Sequence, residues 1–313
     1  MSKQDLMKKL CTKEGIIAAL AIDQRGALRR MMGDDITAQQ VSEFKTLISQ
    51  ELTPYASSIL LDPEFGWAAS EKRDANCGLI MAYEKTGYDK SIAGHFPDLI
   101  NDASVHRLKE KGTQAVKLLI YFDIDEPHEI NDRKAAFVER VASECNAEQI
   151  PLFLEILTYD GSNEDKVYNA KVKPRKVIEA MKFFADKRFG VDVLKVEAPV
   201  VMSYVEGFTD GEVLYSQAEA AAFFKAQSEA TDLPFIFLSA GVSAKLFQQT
   251  LEFAHQAGSR FNGVLCGRAT WAGGAEAYKA EGVEAARQWL KTQGKQNISE
   301  LLEVLERTAT PIK

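Results

Sequence analysis

The chain has 313 residues, of which 46% are hydrophobic and 27% charged, with a formal net charge of -7. That balance supplies a large apolar core and excludes an extended basic surface for nucleic acid or acidic lipid, although a few local cations suffice for a small anionic ligand. Cys11, Cys77, Cys145 and Cys266 show neither paired zinc spacing nor the density of a disulfide scaffold. No apolar run approaches the ~18 residues of a membrane span, and residues 1–10 lack a signal-peptide core, so no membrane association and a cytoplasmic location are expected.

In chain order, residues 2–11 read as a short amphipathic helix capped by Ser2, and 16–22 as a strand ending in Asp23, Gln24, Arg25 and Gly26. Thr37 and Gln40 form a capping-box pattern ahead of Val41, Phe44, Ile48 and Leu52 at helical spacing. Residues 58–61 are the second apolar run, closing on Asp62. Residues 79–83 are the third, ending in Glu84 and Lys85, and their pattern also fits a helix. A helix is expected over 98–111, then a fourth strand over 115–122 that is apolar apart from Lys117. Helix 131–145 leads to strand 151–157, broken only by Glu155. The polar stretch 158–173 is expected to be a long loop or lid, and Val177, Met181 and Phe184 mark the next helix. Strand 191–199 carries Lys195 in a Val-rich run. Ser216 and Glu219 cap helix 220–230, strand 234–238 ends in Ser239, Ala240 and Gly241, and the following helix stops at Gly258. Strand 263–266 ends in Gly267 and Arg268, and helices over 275–290 and 298–307 finish the chain. Eight short apolar runs alternating with helices, with no linker, predict an α/β chain folded as one (β/α)8 TIM barrel over residues 1–313.

A lysine on a strand buried on both faces is the first chemical signal. Period two puts Val193, Lys195 and Glu197 on one face and Leu194 and Val196 on the other. Desolvation favours a neutral, nucleophilic amine; the plainer alternative is an ion pair with a carboxylate on a neighbouring strand. Barrel sites lie at the C-terminal strand ends, which here carry Asp23, Asp62, Glu84, Tyr121, Glu155, Glu197, Ser239 and Arg268. If the face bearing Ala19 and Ala21 and the face bearing Phe153 point inward, Asp23, Lys117, Glu155 and Lys195 converge on one pocket. Lys117 as a second cation would keep Lys195 neutral, and burial would keep a carboxyl protonated. Such a set suits imine chemistry; the alternative is a buried salt-bridge network without turnover. Ser239, Gly241, Gly267 and Arg268 occupy the phosphate position that barrels build after strands seven and eight. No G-x-S-x-G, G-x-G-x-x-G or P-loop occurs. His95, His106, His128 and His255 lie away from strand ends, so neither a metal nor a cofactor is expected. Trp67 and Trp271 follow strands two and eight and are read as core aromatics that could also line the pocket.

The stretches Ala-Leu-Ala-Ile-Asp-Gln-Arg-Gly-Ala-Leu, Phe-Leu-Glu-Ile-Leu, Leu-Lys-Val-Glu-Ala-Pro, Leu-Ser-Ala-Gly-Val-Ser and Gly-Val-Leu-Cys-Gly-Arg-Ala-Thr-Trp resemble the bacterial class I tagatose-bisphosphate aldolases, from about Glu14 to the C-terminal region. The resemblance implies metal-free cleavage of D-tagatose 1,6-bisphosphate in lactose and galactose metabolism. Lys195 would form a Schiff base with C2 of the ketose, Glu155 would transfer protons, Asp23 would orient hydroxyls near the scissile bond, and Lys117 would tune the charge. Ser239, Gly241, Gly267 and Arg268 would hold one phosphate. Gln24 and Arg25 would also touch substrate, Arg25 at the second phosphate. A homodimer is implied. Two other functions stay open: an aldolase for another ketose phosphate, such as 6-deoxy-6-sulfofructose 1-phosphate, and a non-catalytic phosphosugar sensor. Residues 160–170 look shorter than the family pattern, which bears on sugar discrimination and not on imine chemistry.

Overall fold

Eight parallel strands close on themselves in sequence order in the computed structural model, which describes residues 1–33 and 35–312. They are β1 (Ile17–Ala21), β2 (Ser58–Leu61), β3 (Gly78–Ala82), β4 (Ala115–Phe122), β5 (Leu152–Thr158), β6 (Val193–Val196), β7 (Phe235–Leu238) and β8 (Gly263–Cys266). Helices connect them on the outside, the TIM-barrel arrangement expected from the alternation of apolar runs and amphipathic segments. Period two sorts each strand. Ile17, Ala19 and Ala21 of β1, Phe153 of β5 and Val193 of β6 fill the barrel axis, while Leu20, Leu154 and Leu194 face the helices. The base is plugged by the segment after the helix Lys3–Lys8, where the Leu10 carbonyl accepts from the Ser57 and Ser58 hydroxyls at 2.7 and 3.2 Å. At the closing seam Gly263, paired with Ile17, has φ +137°, and a β-carbon there would lie 1.9 Å from the Ile17 carbonyl oxygen. Only glycine lets β8 approach β1 so closely.

Several boundaries differ from expectation. The third run is a strand, hydrogen-bonded between β2 and β4. The helix expected over 98–111 is only Val105–Glu110, capped by Ser104, because the chain before it returns to Glu84 through a bridge with Leu99. The expected loop over 158–173 is half helix. Asp165 caps Lys166–Phe184, which runs through Pro174. Proline removes the amide that would bond the Ala170 carbonyl, and the Tyr215 hydroxyl donates to the neighbouring Lys171 carbonyl at 2.8 Å. The helix expected over 275–290 starts earlier, as Arg268–Glu281, and breaks at Gly282 with φ +87° before Val283–Trp289.

Candidate active site

The inward faces of β4, β5 and β6 deliver the charged groups. In the β5–β6 register Glu155 lies beside Lys195, and in the β3–β4 register Lys117 lies beside Ala82, two residues before Glu84. Glu155 bridges two ammonium groups. Its Oε1 is 2.8 Å from Lys195 Nζ and its Oε2 is 2.7 Å from Lys117 Nζ. Lys117 Nζ also donates to Asp23 Oδ2 at 2.9 Å and to Glu84 Oε1 at 2.6 Å. All five side chains are buried.

The charge states follow from that geometry. Burial pushes the Glu155 and Asp23 carboxyls up, but Lys117 and Lys195 together outweigh it and hold both below the usual carboxylate range. Burial opposes the charge on Lys117 as well, and Asp23, Glu155 and Glu84 outweigh it, so this amine is held well above its ordinary value. The expectation of a protonated buried carboxyl is therefore corrected: with two ammonium groups in contact, Glu155 rests ionised. Lys117 is matched by three carboxylates, so it does not face Lys195 as an unshielded cation.

The opposite wall is built after β7 and β8. Ala240 and Gly241 are both left-handed, with φ +49° and +78°, and a β-carbon on Gly241 would lie 2.7 Å from the Arg268 Cζ. The guanidinium thus lies flat against a glycine. Gly267 precedes the helix Arg268–Glu281 and passes close to the Ala21 carbonyl; a β-carbon there would be 3.0 Å from it. Backbone amides at a helix start, a hydroxyl from Ser239 and the Arg268 guanidinium suit a phosphate.

Between these walls lies a cavity of about 390 Å³, lined by all ten residues given catalytic or substrate-binding roles from the sequence: Asp23, Gln24, Arg25, Lys117, Glu155, Lys195, Ser239, Gly241, Gly267 and Arg268. That volume suits a small, charged ligand. Asp23 Oδ1 is buried and has no hydrogen-bond partner among the described residues, so it is free to accept from a hydroxyl. Arg25 reaches the cavity with one terminal nitrogen donating to the Glu84 carbonyl at 2.9 Å, while its buried Nε has no hydrogen-bond partner among the described residues. Glu197 forms a side wall, accepting from the Thr158 amide and hydroxyl at 2.8 and 2.7 Å and from Lys173 at 2.7 Å.

Asp62 is not in the cavity. It turns toward the helix Ala38–Leu52 to pair with the fully buried Lys45 and accepts from the Glu64 and Phe65 amides. Trp271 and Trp67 also stay out. Trp271 donates to the Ala21 carbonyl at 2.8 Å from within the core, and Trp67 lies under Lys111. His95 is stacked between Tyr88 and Tyr159. Among the described residues no group of three or more His, Cys, Asp or Glu side chains is spaced to hold a metal ion. Glu84 was visible only as one more acid at a strand end. Its parity with Ile80 and Ala82 was the available sign that it faces inward with Lys117.

Comparison with known proteins adds a family to this geometry. The DeoC/LacD family aldolase profile matches residues 17–273. A tagatose 1,6-diphosphate aldolase of Lactococcus lactis subsp. lactis is 59% identical over 315 residues, covering 99% of this chain and 97% of the relative. Tagatose 1,6-diphosphate aldolase 2 of Streptococcus agalactiae is 58% identical over 317 residues, with the same coverage. Among solved structures, a fructose-bisphosphate aldolase from Plasmodium falciparum superposes with a TM-score of 0.69 at 16% identity, covering 95% of this chain and 93% of that one. An archaeal fructose-1,6-bisphosphate aldolase, solved with its catalytic lysine bound to a carbinolamine intermediate, gives a TM-score of 0.60 at 14% identity, covering 96% and 98%. At such identities the structural likeness speaks for the barrel alone.

Proposed function

The chain belongs to the DeoC/LacD family of aldolases, and from that premise we propose that it cleaves D-tagatose 1,6-bisphosphate to dihydroxyacetone phosphate and D-glyceraldehyde 3-phosphate through a Schiff base on Lys195. The observation that carries the reading is the 2.8 Å contact between the buried Lys195 Nζ and Glu155 Oε1 at the cavity wall. A proton passing along it from ammonium to carboxylate leaves a neutral amine and a carboxylic acid, the pair that imine formation requires. The amine attacks C2, and the acid returns its proton as the C2 oxygen departs as water. The iminium then accepts the electron pair of the C3–C4 bond as the C4 hydroxyl gives its proton to the Glu155 carboxylate, and the aldehyde leaves. Protonation of the enamine at C3 and hydrolysis release the ketone and restore Lys195.

Other groups take their roles from position. Asp23 Oδ1 accepts from a substrate hydroxyl near the scissile bond. Ser239, Gly241, Gly267 and Arg268 hold the phosphate on C1, since β7 and β8 follow the strand that bears the nucleophile. Gln24 and Arg25, on the wall after β1, contact the distal part of the sugar phosphate. No described helix is long and apolar enough to cross a membrane. We infer a cytoplasmic homodimer, for which a light-scattering mass equal to one chain would be contrary evidence on assembly.

Borohydride added with D-tagatose 1,6-bisphosphate should inactivate the protein and leave a reduced adduct on the peptide bearing Lys195, and Lys195→Met should abolish both. Retained activity with no adduct would overturn the reading. Preferential turnover of 6-deoxy-6-sulfofructose 1-phosphate would reassign the substrate, and binding without imine or cleavage would make the protein a sensor.

A further inference from the structure

Glu84 sits where β3 and β4 part. The Tyr83 amide donates to the Lys117 carbonyl at 3.0 Å, so in a regular parallel ladder the Leu119 amide would donate back to the Tyr83 carbonyl. It does not. The Tyr83 carbonyl accepts from Ile100 of the returning loop at 3.1 Å, and the Leu119 amide donates to Glu84 Oε2, also at 3.1 Å. A side-chain carboxylate thus replaces a rung of the sheet, and its second oxygen is presented to Lys117 Nζ at 2.6 Å.

An ammonium has three N–H groups. Those of Lys117 go to Asp23, Glu84 and Glu155, which leaves none for a substrate. Asp23 keeps a free oxygen, and Glu155 turns one toward Lys195. Glu84 alone of the three neither keeps an oxygen free nor turns one toward Lys195: its oxygens go to Lys117 and to the Leu119 amide. Its main-chain carbonyl is also taken, by Arg25 at 2.9 Å.

We propose that Glu84 is a positioning residue for proton transfer: it holds Lys117 as an oriented ammonium and partly cancels the field of that ammonium on Glu155, which sets the pH window in which Glu155 is ionised and able to accept a proton. This rests on the imine reading above. The charged and titratable groups facing the exchange are Asp23 and Arg25 after β1, Glu84 and Lys85 after β3, Lys117 and Tyr121 of β4, Glu155 of β5, Lys195 of β6 and Glu197 after it, and Arg268 after β8, with Glu64 behind Arg25 at 3.6 Å. Removing the Glu84 charge makes the field at Glu155 and Lys195 more positive. That favours carboxylate over acid, so the ionisation of Glu155 moves to lower pH. One unit charge at this range in a protein interior is worth roughly one pH unit or more.

The test measures kcat and KM against pH for Glu84→Gln and Glu84→Asp, with thermal melts to verify folding and the borohydride trap on the unmodified protein. For Glu84→Gln, KM should stay within about threefold, kcat should fall about tenfold or more, and the acid limb of the kcat profile, set by Glu155, should move acidward by roughly one unit. Glu84→Asp keeps the charge but is a methylene too short to span Lys117 and the Leu119 amide, so its kcat falls while its acid limb stays near its original pH. An unmoved acid limb in Glu84→Gln, or equal displacement in Glu84→Asp, would reduce Glu84 to a ladder substitute and overturn the proposal. If Glu84→Gln does not fold, the role is structural and the proposal falls. Failure of the imine reading is distinguishable, because it shows as an untrapped, inactive unmodified protein.

Discussion

Glu155 meets two lysines through two different oxygens, so an amide in its place must turn its NH2 group toward one of them, donor against donor. Glu155→Gln should therefore lower kcat by about 10²-fold or more, the usual worth of a positioned acid–base group, while KM changes little. Near-normal turnover would place the proton shuttle elsewhere. Lys195 and Glu155 were legible in the sequence because a single charge inside a Val-rich or Leu-rich strand stands out, and period two then states which way it points. The ionised state of Glu155 was not legible. It depends on two lysines, Lys117 and Lys195, meeting its two oxygens, and that contact exists only once β4, β5 and β6 lie side by side. Asp62 marks the same limit. It carries the signal that Asp23 carries, but past the end of β2 the backbone turns and a buried lysine on the helix side captures it.

At the level of elements, strands were easier to read than helices because a short apolar run between polar ends has few alternatives in a βα repeat. Helix limits failed where tertiary contacts supplied the missing local signal. The segment before Val105 is drawn to the end of β3, and Tyr215 compensates the carbonyls beside Pro174. The turn after β7 makes an experimental handle on the phosphate wall. Gly241→Ala would strain a left-handed residue and drive its β-carbon into the Arg268 guanidinium, at a separation of 2.7 Å. Steady-state kinetics should show KM raised about tenfold or more with a smaller loss in kcat, and an unchanged KM would remove Arg268 from phosphate binding.

Across the whole molecule, the buried cluster ties stability to pH at both ends of the scale. Asp23 and Glu155 are held below the ordinary carboxylate range when folded, so their contribution is fully present above about pH 5 and is lost as pH falls below about 4. Lys117 is held above its ordinary value, so its contribution is fully present below about pH 10 and is lost as pH rises further. Urea midpoints followed by tryptophan fluorescence should hold just above about pH 5 and fall as pH drops below about 4. A midpoint that rises on acidification below pH 4 would contradict these assignments.

The sharing of one ammonium among the ends of β1, β3 and β5 also bears on the order in which the chain can fold. The base of the barrel is apolar around Leu10, Ile17 and Phe153, and can collapse as soon as neighbouring strands touch. The mouth cannot. A half-assembled barrel holding β1 to β4 would dehydrate Lys117 with two of its three carboxylates, and one starting at β5 would have Glu155 with a single lysine, each at a desolvation cost that incomplete pairing does not offset. Water therefore leaves the mouth last. The same charges that run the chemistry act as a late checkpoint, closing only around a chain in which all the strands have found their neighbours.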